Sequence, residues 1–180
     1  MSDFCTQQRI LNITNSTNIH LVAGSILSRD IAEGVAVFIP GGFRCLTIDG
    51  KEFFHEVTGY ELPSSLDAVE IDDPMHKLKY IFCIDRLFAR SEKQMEQQLT
   101  DVLDYFSRCS VKSIAMNGIY CDCASQRPER CQLEFIIKYL VTNETYFEDI
   151  YLVDLYGGFN KYCRASEFRN YRPEINIINH

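Results

Sequence analysis

The region between Lys79 and Tyr156 alternates short apolar runs with longer amphipathic runs, and this alternation restricts the possible folds more than any other feature. The apolar runs have the length and content of buried strands, whereas the runs that start at Ser91 and Pro128 repeat apolar residues at helical spacing. Ser91 with Gln94 is typical of a capping box, and proline suits the first turn of a helix. Because strands joined by helices of this length run parallel, the region predicts a helix-covered, mostly parallel sheet.

The N-terminal half predicts shorter elements. "NIHLVAG" and "VAVFIP" are bounded by glycine or proline and are interpreted as buried strands, with a short helical turn at "SRDIAEG" between them. Asp49-Gly50 supplies the positive φ values of a two-residue turn, so a β-hairpin is predicted around it. The polar segment from Glu56 to Lys79 contains two prolines and predicts irregular structure or an edge strand.

Together these elements predict one domain over residues 1–180, of the α/β class. The expected architecture is a three-layer α/β/α fold with a mixed, mostly parallel central sheet, in which the hairpin provides the antiparallel part. A final helix is expected at "GGFNKYCRASEF", and residues 1–17 and 173–180 are expected to be peripheral termini.

Composition narrows the class of partner and the compartment. The net charge of −7 argues against bulk nucleic-acid binding, although a local basic pocket for an anion needs only a few donors. The N-terminus shows no signal peptide, and no apolar run approaches the length of a membrane span, so a cytoplasmic protein with no membrane partner is expected. The eight cysteines are then expected to be reduced thiols.

The cysteines near residue 121 do not form a recognisable metal or redox motif. Cys121 and Cys123 have only one residue between them, whereas zinc ligands are spaced by two to four residues and redox pairs by two. Cys131 falls inside a predicted helix, and no histidine lies nearby in the sequence. No metal and no cofactor are therefore expected.

Ligands of open α/β sheets bind beyond the carboxyl ends of the strands, so the residues that follow each strand are the candidates for a site. Glycines there allow backbone N–H groups to approach a ligand, and the segment after Asn117 leads into a helix N-terminus, which favours an anion. Each glycine taken alone is equally well explained by a tight turn. Asp85 and Asp154 also end strands, and such residues serve as general bases, magnesium ligands or, more often, helix caps.

Four segments, in this order, resemble the macrodomain family of ADP-ribose-binding α/β/α modules. They are "IHLVAGSI" (19–26), "KLKYIFCID" (77–85), "VKSIAMNGIY" (111–120) and "DIYLVDLY" (149–156). Arg127-Pro128-Glu129 is similar to the helix start that follows the family's second phosphate loop. The resemblance implies backbone contacts from Gly118, Ile119 and Tyr120 to phosphate, a base pocket at Ser25 and Ile26, and ring stacking by Tyr156. The complete candidate set is Gly24, Ser25, Ile26, Gly41, Gly42, Asn117, Gly118, Ile119, Tyr120 and Tyr156.

The chain departs from the family at four places. Ser25 stands where the family has an adenine-contacting aspartate, and Pro40-Gly41-Gly42-Phe43 replaces an Asn-Ala-Ala-Asn run. The hairpin predicted at Asp49-Gly50 replaces the first phosphate loop and its helix. Cys-Asp-Cys follows Tyr120 where further glycines are expected.

Three functional hypotheses follow from these patterns. The first is a divergent macrodomain-like module that binds ADP-ribose or a related nucleotide diphosphate, with or without weak hydrolase activity and with no catalytic residue assigned. The alternative is a non-catalytic interaction or assembly module with a protein partner, in which side chains such as Phe43 or Phe54 fill the cleft. The third is an unrelated metal-dependent hydrolase that uses Asp85 and Asp154.

Overall fold

The computed structural model describes residues 16–40, 48–59, 68–86, 91–119, 127–168 and 174–180. The first half contains β1 (Thr17–Ala23), β2 (Gly34–Pro40), α1 (Ile48–Thr58), β3 (Ala68–Glu70) and β4 (Tyr80–Arg86). The second half contains α2 (Glu92–Arg108), β5 (Ser113–Met116), α3 (Pro128–Thr142), β6 (Asp149–Asp154), α4 (Gly158–Tyr162), a 3₁₀ turn (Ala165–Phe168) and β7 (Ile175–Asn179).

The described strands form one seven-stranded sheet with the order β3-β4-β2-β5-β6-β1-β7. Every neighbouring pair is parallel except β3 with β4. The prediction of a mixed, mostly parallel sheet is therefore confirmed. The antiparallel strand is β3, which lies in the segment expected to hold irregular structure or an edge strand.

Helices cover both faces of the sheet, as the three-layer prediction requires. Strand residues alternate between the faces with a period of two. Leu21, Phe38 and Leu152 pack with residues of α2 and α3 on one face. Val37 and its neighbours pack with Phe54 of α1 on the other face.

The helix starts predicted by capping are confirmed. The hydroxyl of Ser91 accepts a hydrogen bond from the backbone N–H of Gln94 at 3.2 Å, so it caps α2. Pro128 occupies the first turn of α3, where its missing N–H has no helical partner to lose. Both helices then continue for as long as their apolar stripe does.

The hairpin predicted around Asp49-Gly50 is wrong, because this segment belongs to α1. Phe53 and Phe54 are both buried in the same apolar cluster. Adjacent residues of a strand point to opposite faces, whereas a helix can bury both on one side. Asp49 lies in the first helical turn, where a negative charge favours the helix dipole. A helix therefore follows β2 in place of the predicted hairpin, and the residues between β2 and this helix lie outside the described residues.

Three smaller elements also differ from the expectations. No helical turn forms between β1 and β2 in the described chain, where the backbone only bends. The expected final helix is split into α4 and the 3₁₀ turn. The C-terminal residues add β7 as a parallel edge strand beside β1. Residues 1–15 lie outside the described residues.

The described residues hold no structural sign of a membrane span or a metal centre. None of the described helices is long and apolar enough to cross a bilayer. No group of three His, Cys, Asp or Glu side chains in these residues is arranged to hold a metal ion. Cys109 and Cys163 are free cysteines.

Candidate functional site

The carboxyl ends of β5, β6 and β1 lie side by side, because β6 pairs in parallel with both neighbours. The turns that leave these strands therefore meet at one edge of the sheet. Gly41, Gly42 and Tyr120 lie outside the described residues. The structure brings the other predicted site residues to this edge: Gly24, Ser25, Ile26, Asn117, Gly118, Ile119 and Tyr156.

The turn after β1 exposes a serine and buries an isoleucine. Gly24 donates its N–H to the carbonyl of Asp154 at 2.9 Å, which ties this turn to the end of β6. The Ser25 hydroxyl accepts the N–H of Leu27 at 3.1 Å and remains exposed to solvent. Ile26 packs in the core beneath α1. Of the two residues predicted to line a base pocket, Ser25 is thus the accessible one.

The segment after β5 is held by two side-chain amides. Asn117 bonds to β2: its Oδ1 accepts the N–H of Phe38 at 2.7 Å, and its Nδ2 donates to the Phe38 carbonyl at 2.8 Å. Gln132 of α3 is fully buried and accepts the Ile119 N–H at 2.8 Å. The same amide donates to the Asn117 carbonyl at 2.9 Å. The Ile119 N–H predicted to contact phosphate is therefore already occupied.

The turn after β6 is organised by Asp154. Its carboxylate accepts the N–H groups of Tyr156 at 3.0 Å and Gly158 at 2.9 Å, so it caps the short helix α4. Gly157 has φ +68°, which glycine adopts without strain. A β-carbon on Gly158 would overlap Oδ2 of Asp154 and lie 3.0 Å from Oε1 of Glu129. Among the roles open to Asp154 from the sequence, this geometry is that of a cap.

Leu155 and Tyr156 form the most exposed apolar surface at this edge. Their exposed fractions are 69% and 93%. Both side chains are held out by the Asp154 turn beneath them. A tyrosine ring presented to solvent in this way offers a flat surface on which a base or a sugar can stack.

Charged residues of both signs lie at the start of α3 and in α4. The Arg127 guanidinium lies 4.4 Å from the centroid of the Tyr162 ring, and the Lys161 ammonium lies 5.3 Å from the same centroid. In the described chain neither cation forms an ion pair. Glu129 lies in the first turn of α3, and its Oε2 is buried without a hydrogen bond in the described chain. The N-terminus of α3 thus already faces a carboxylate.

The described cysteines near this edge are poor nucleophiles. Burial raises the pKa of the Cys163 thiol to about 12, and the Glu129 carboxylate adds to the increase. Burial also raises the pKa of Cys131, whose thiol donates to Glu92. Thiol chemistry needs a thiolate, so these residues fit structural roles. Cys121 and Cys123 lie outside the described residues.

Sequence reasoning missed Gln132 and the paired role of Gly157 and Gly158. Gln132 interrupts the apolar face of the helix that begins at Pro128, and a polar residue at such a position signals a buried hydrogen bond. For Gly157 and Gly158 the sequence predicts only the start of a helix. The side chain of Asp85 lies outside what the structure describes, so the metal-dependent hypothesis gains no second carboxylate.

No protein-family profile matches the chain, and no curated protein matches it. Solved structures do. The macrodomain of Mycobacterium tuberculosis DarG is 13% identical with a TM-score of 0.53, over 75% of this chain and 96% of that one. The Trypanosoma brucei macrodomain in complex with ADP-ribose is 13% identical with a TM-score of 0.56, over 79% and 68%.

The macro domain of ganglioside induced differentiation associated protein 2 is 11% identical with a TM-score of 0.56, over 89% of this chain and 87% of that one. At these identities the comparison establishes the fold and not the ligand. The chain has a divergent macrodomain-like fold.

Proposed function

We propose that the edge formed by the ends of β1, β5 and β6 binds ADP-ribose or a related nucleotide diphosphate. The observation that carries the proposal is the exposed ring of Tyr156, on the turn that Asp154 organises and to which the turn at Gly24 is hydrogen-bonded. One of the similar structures is named as a complex with ADP-ribose, which supports this ligand class. Ligands of open α/β sheets bind at this end of the strands.

The roles within this site follow from which groups remain available. The Tyr156 ring stacks on the base or a ribose, and the exposed Ser25 lines the same pocket. Gly118 contacts a phosphate through its N–H, since no hydrogen bond to that group occurs in the described chain. Ile119 donates no hydrogen bond to the ligand, because its N–H is already bonded to Gln132.

The positive charges beside the edge support binding of a diphosphate by an acidic chain. Arg127, at the start of α3, and Lys161, in the last turn of α4, lie over the Tyr162 ring, and in the described chain neither forms an ion pair. The opposing carboxylate of Asp154 is satisfied by two backbone N–H groups. A phosphate placed beside Arg127 and Lys161 is attracted by their charges, whereas the Glu129 carboxylate lies on the side of Gly158.

Calorimetry tests the proposal directly. Titration of the folded protein with ADP-ribose up to about 1 mM should release saturable heat. AMP and ribose 5-phosphate serve as partial ligands and should bind more weakly. Absence of heat with a well-folded chain would leave the assembly module as the better hypothesis. Phe54, one of the side chains expected to fill a cleft in that case, packs in the core, and Phe43 lies outside the described residues.

Tyr156→Ala should weaken ADP-ribose binding by about 5- to 150-fold, because stacking on an aromatic ring contributes about 1–3 kcal/mol per base. Tyr146→Ala is the matched control, since Tyr146 is also exposed, at 59%, but precedes β6 at the opposite edge of the sheet. The control should bind as the unchanged protein does. Equal losses in both variants would contradict the assignment of Tyr156.

A further inference from the structure

A cavity lies between α2 and β4, away from the edge formed by the ends of β1, β5 and β6. Its volume is about 280 Å³, which is the size of an amino-acid side chain with room around it. It opens next to β4, on the face of the sheet that α2 covers. The candidate nucleotide site lies elsewhere, at the ends of β1, β5 and β6. Its lining residues are Phe82, Ile84, Gln98, Asp101, Asp104, Tyr105 and Arg108.

Gln98 is the most informative residue of this cavity. It lies on the buried face of α2 with only 6% of its surface exposed. Within the described chain its amide makes no hydrogen bond, in contrast to the buried Gln132, which makes two. The Gln98 amide borders the cavity and is accessible from it, so a molecule bound there can exchange a hydrogen bond with this amide.

Two aromatic rings form the wall of the cavity. The centroids of Phe82 and Tyr105 are 5.4 Å apart and their planes are tilted by 54°. Burial, followed by a hydrogen bond with Cys109, raises the pKa of the Tyr105 hydroxyl to about 12, so the ring carries no charge at neutral pH. The faces of such rings attract cations.

The charges at the opening favour a cation as well. Asp101 and Asp104 are both exposed there, and each uses one carboxylate oxygen to accept a neutral donor, from Gln97 and Tyr139 respectively. Arg108 is the single cation of the lining, and it forms no ion pair with either aspartate. Two negative charges against one positive charge leave the cavity complementary to a monocation.

We propose that this cavity binds a guanidinium group carried on a short alkyl stem. The planar head group stacks on Tyr105 or Phe82 and donates to the carboxylates of Asp101 and Asp104. Oε1 of Gln98 accepts a further N–H. Guanidinium suits this set because its donors lie in one plane while its faces remain weakly hydrated. The apolar stem lies against Ile84.

NMR titration tests the site without any nucleotide, so its result is independent of the proposed function. The probe is N-acetylarginine methylamide, and the control ligand is N-acetylcitrulline methylamide, which has the same shape without the charge. The arginine compound should shift the Gln98 side-chain amide and the Tyr105 backbone amide in a saturable manner. Ethylguanidinium distinguishes a free guanidinium compound from an arginine side chain as the natural ligand. Binding as tight as that of the arginine compound indicates a free guanidinium compound, and weaker binding indicates an arginine side chain of a partner. Both results support the proposal.

The variant Asp101→Asn with Asp104→Asn should weaken this binding by at least about tenfold, while Tyr139 keeps an acceptor in the asparagine. The charge-matched control is Glu52→Gln with Glu144→Gln, two exposed residues outside the cavity, and it should stay within about twofold of the unchanged protein. Gln98→Leu provides a second test inside the cavity and should also weaken binding. Equal binding of the citrulline compound, shifts that do not saturate, or unchanged binding in both cavity variants would overturn the proposal.

Discussion

Gln132→Leu is expected to lower the free energy of unfolding by about 3 kcal/mol. The substitution leaves the buried Ile119 N–H and the partly buried Asn117 carbonyl without their partner. Each such group costs about 1–3 kcal/mol when it is left unsatisfied. Urea unfolding followed by circular dichroism measures the loss.

Gln98→Leu is the matched control for this prediction. Both glutamines are buried on helices that pack on the same face of the sheet, but only Gln132 makes hydrogen bonds in the described chain. Replacing an amide that has no partner should change the unfolding free energy by less than about 0.5 kcal/mol, or increase it. Similar losses in the two variants would mean that burial alone, and not the two hydrogen bonds, determines the effect.

Gly158→Ala is expected to lower the free energy of unfolding by about 2 kcal/mol and to weaken nucleotide binding as well. Its new β-carbon overlaps the Asp154 carboxylate, which cannot move without giving up the N–H groups of Tyr156 and Gly158. The turn that presents the Tyr156 ring would therefore shift. Urea unfolding and calorimetry with ADP-ribose measure the two effects separately.

Gly118→Ala is the control and should leave the free energy of unfolding nearly unchanged, because the nearest atoms to its new β-carbon belong to Phe159 at 3.9 Å, an ordinary contact.

A double-mutant cycle with Asp154→Ala tests why Gly158→Ala lowers the free energy of unfolding. If the carboxylate is the obstacle, Gly158→Ala should cost much less in the Asp154→Ala background than in the unchanged protein. Additive losses would point to another origin.

The second half of the fold could be predicted from sequence because its signals are repeated along each element. The helix from Glu92 to Arg108 carries its apolar stripe over several turns and a cap at Ser91. A single neighbour cannot reverse so many consistent preferences. The strands at Ile81 and Leu152 are likewise fixed by burial on both faces.

The segment after β2 differs from its prediction because its strongest local signal is a single dipeptide. Asp49-Gly50 favours a turn by its backbone preference, yet burial of Phe53 and Phe54 on one side of a helix outweighs that preference. In β7 no local preference opposes the strand, but no distinct turn signal marks where the strand begins or ends. Tertiary contacts with β1 decide its conformation.

The candidate site was predicted at the level of backbone segments and not of individual groups. Strand ends can be found from the apolar runs, so Ser25, Gly118 and Tyr156 were placed at one edge. Which polar atoms remain available depends on partners far away in the sequence, such as Gln132 on α3. No local pattern contains that information.

The bonds from Asn117 to Phe38 have a consequence for the shape of the sheet. The ladder between β2 and β5 ends at Ala36 and Met116, and beyond it this one side chain replaces the backbone rung. After β2 the chain passes through α1, on one face of the sheet, toward β3 and β4. After β5 it passes through α3, on the other face, to β6, which lies in the opposite direction along the sheet. The direction of winding therefore reverses between the neighbouring strands β2 and β5. Crevices open where such a reversal occurs. The separation of the two strand ends at that crevice is therefore set by the length of an asparagine side chain, which acts as a spacer of fixed size.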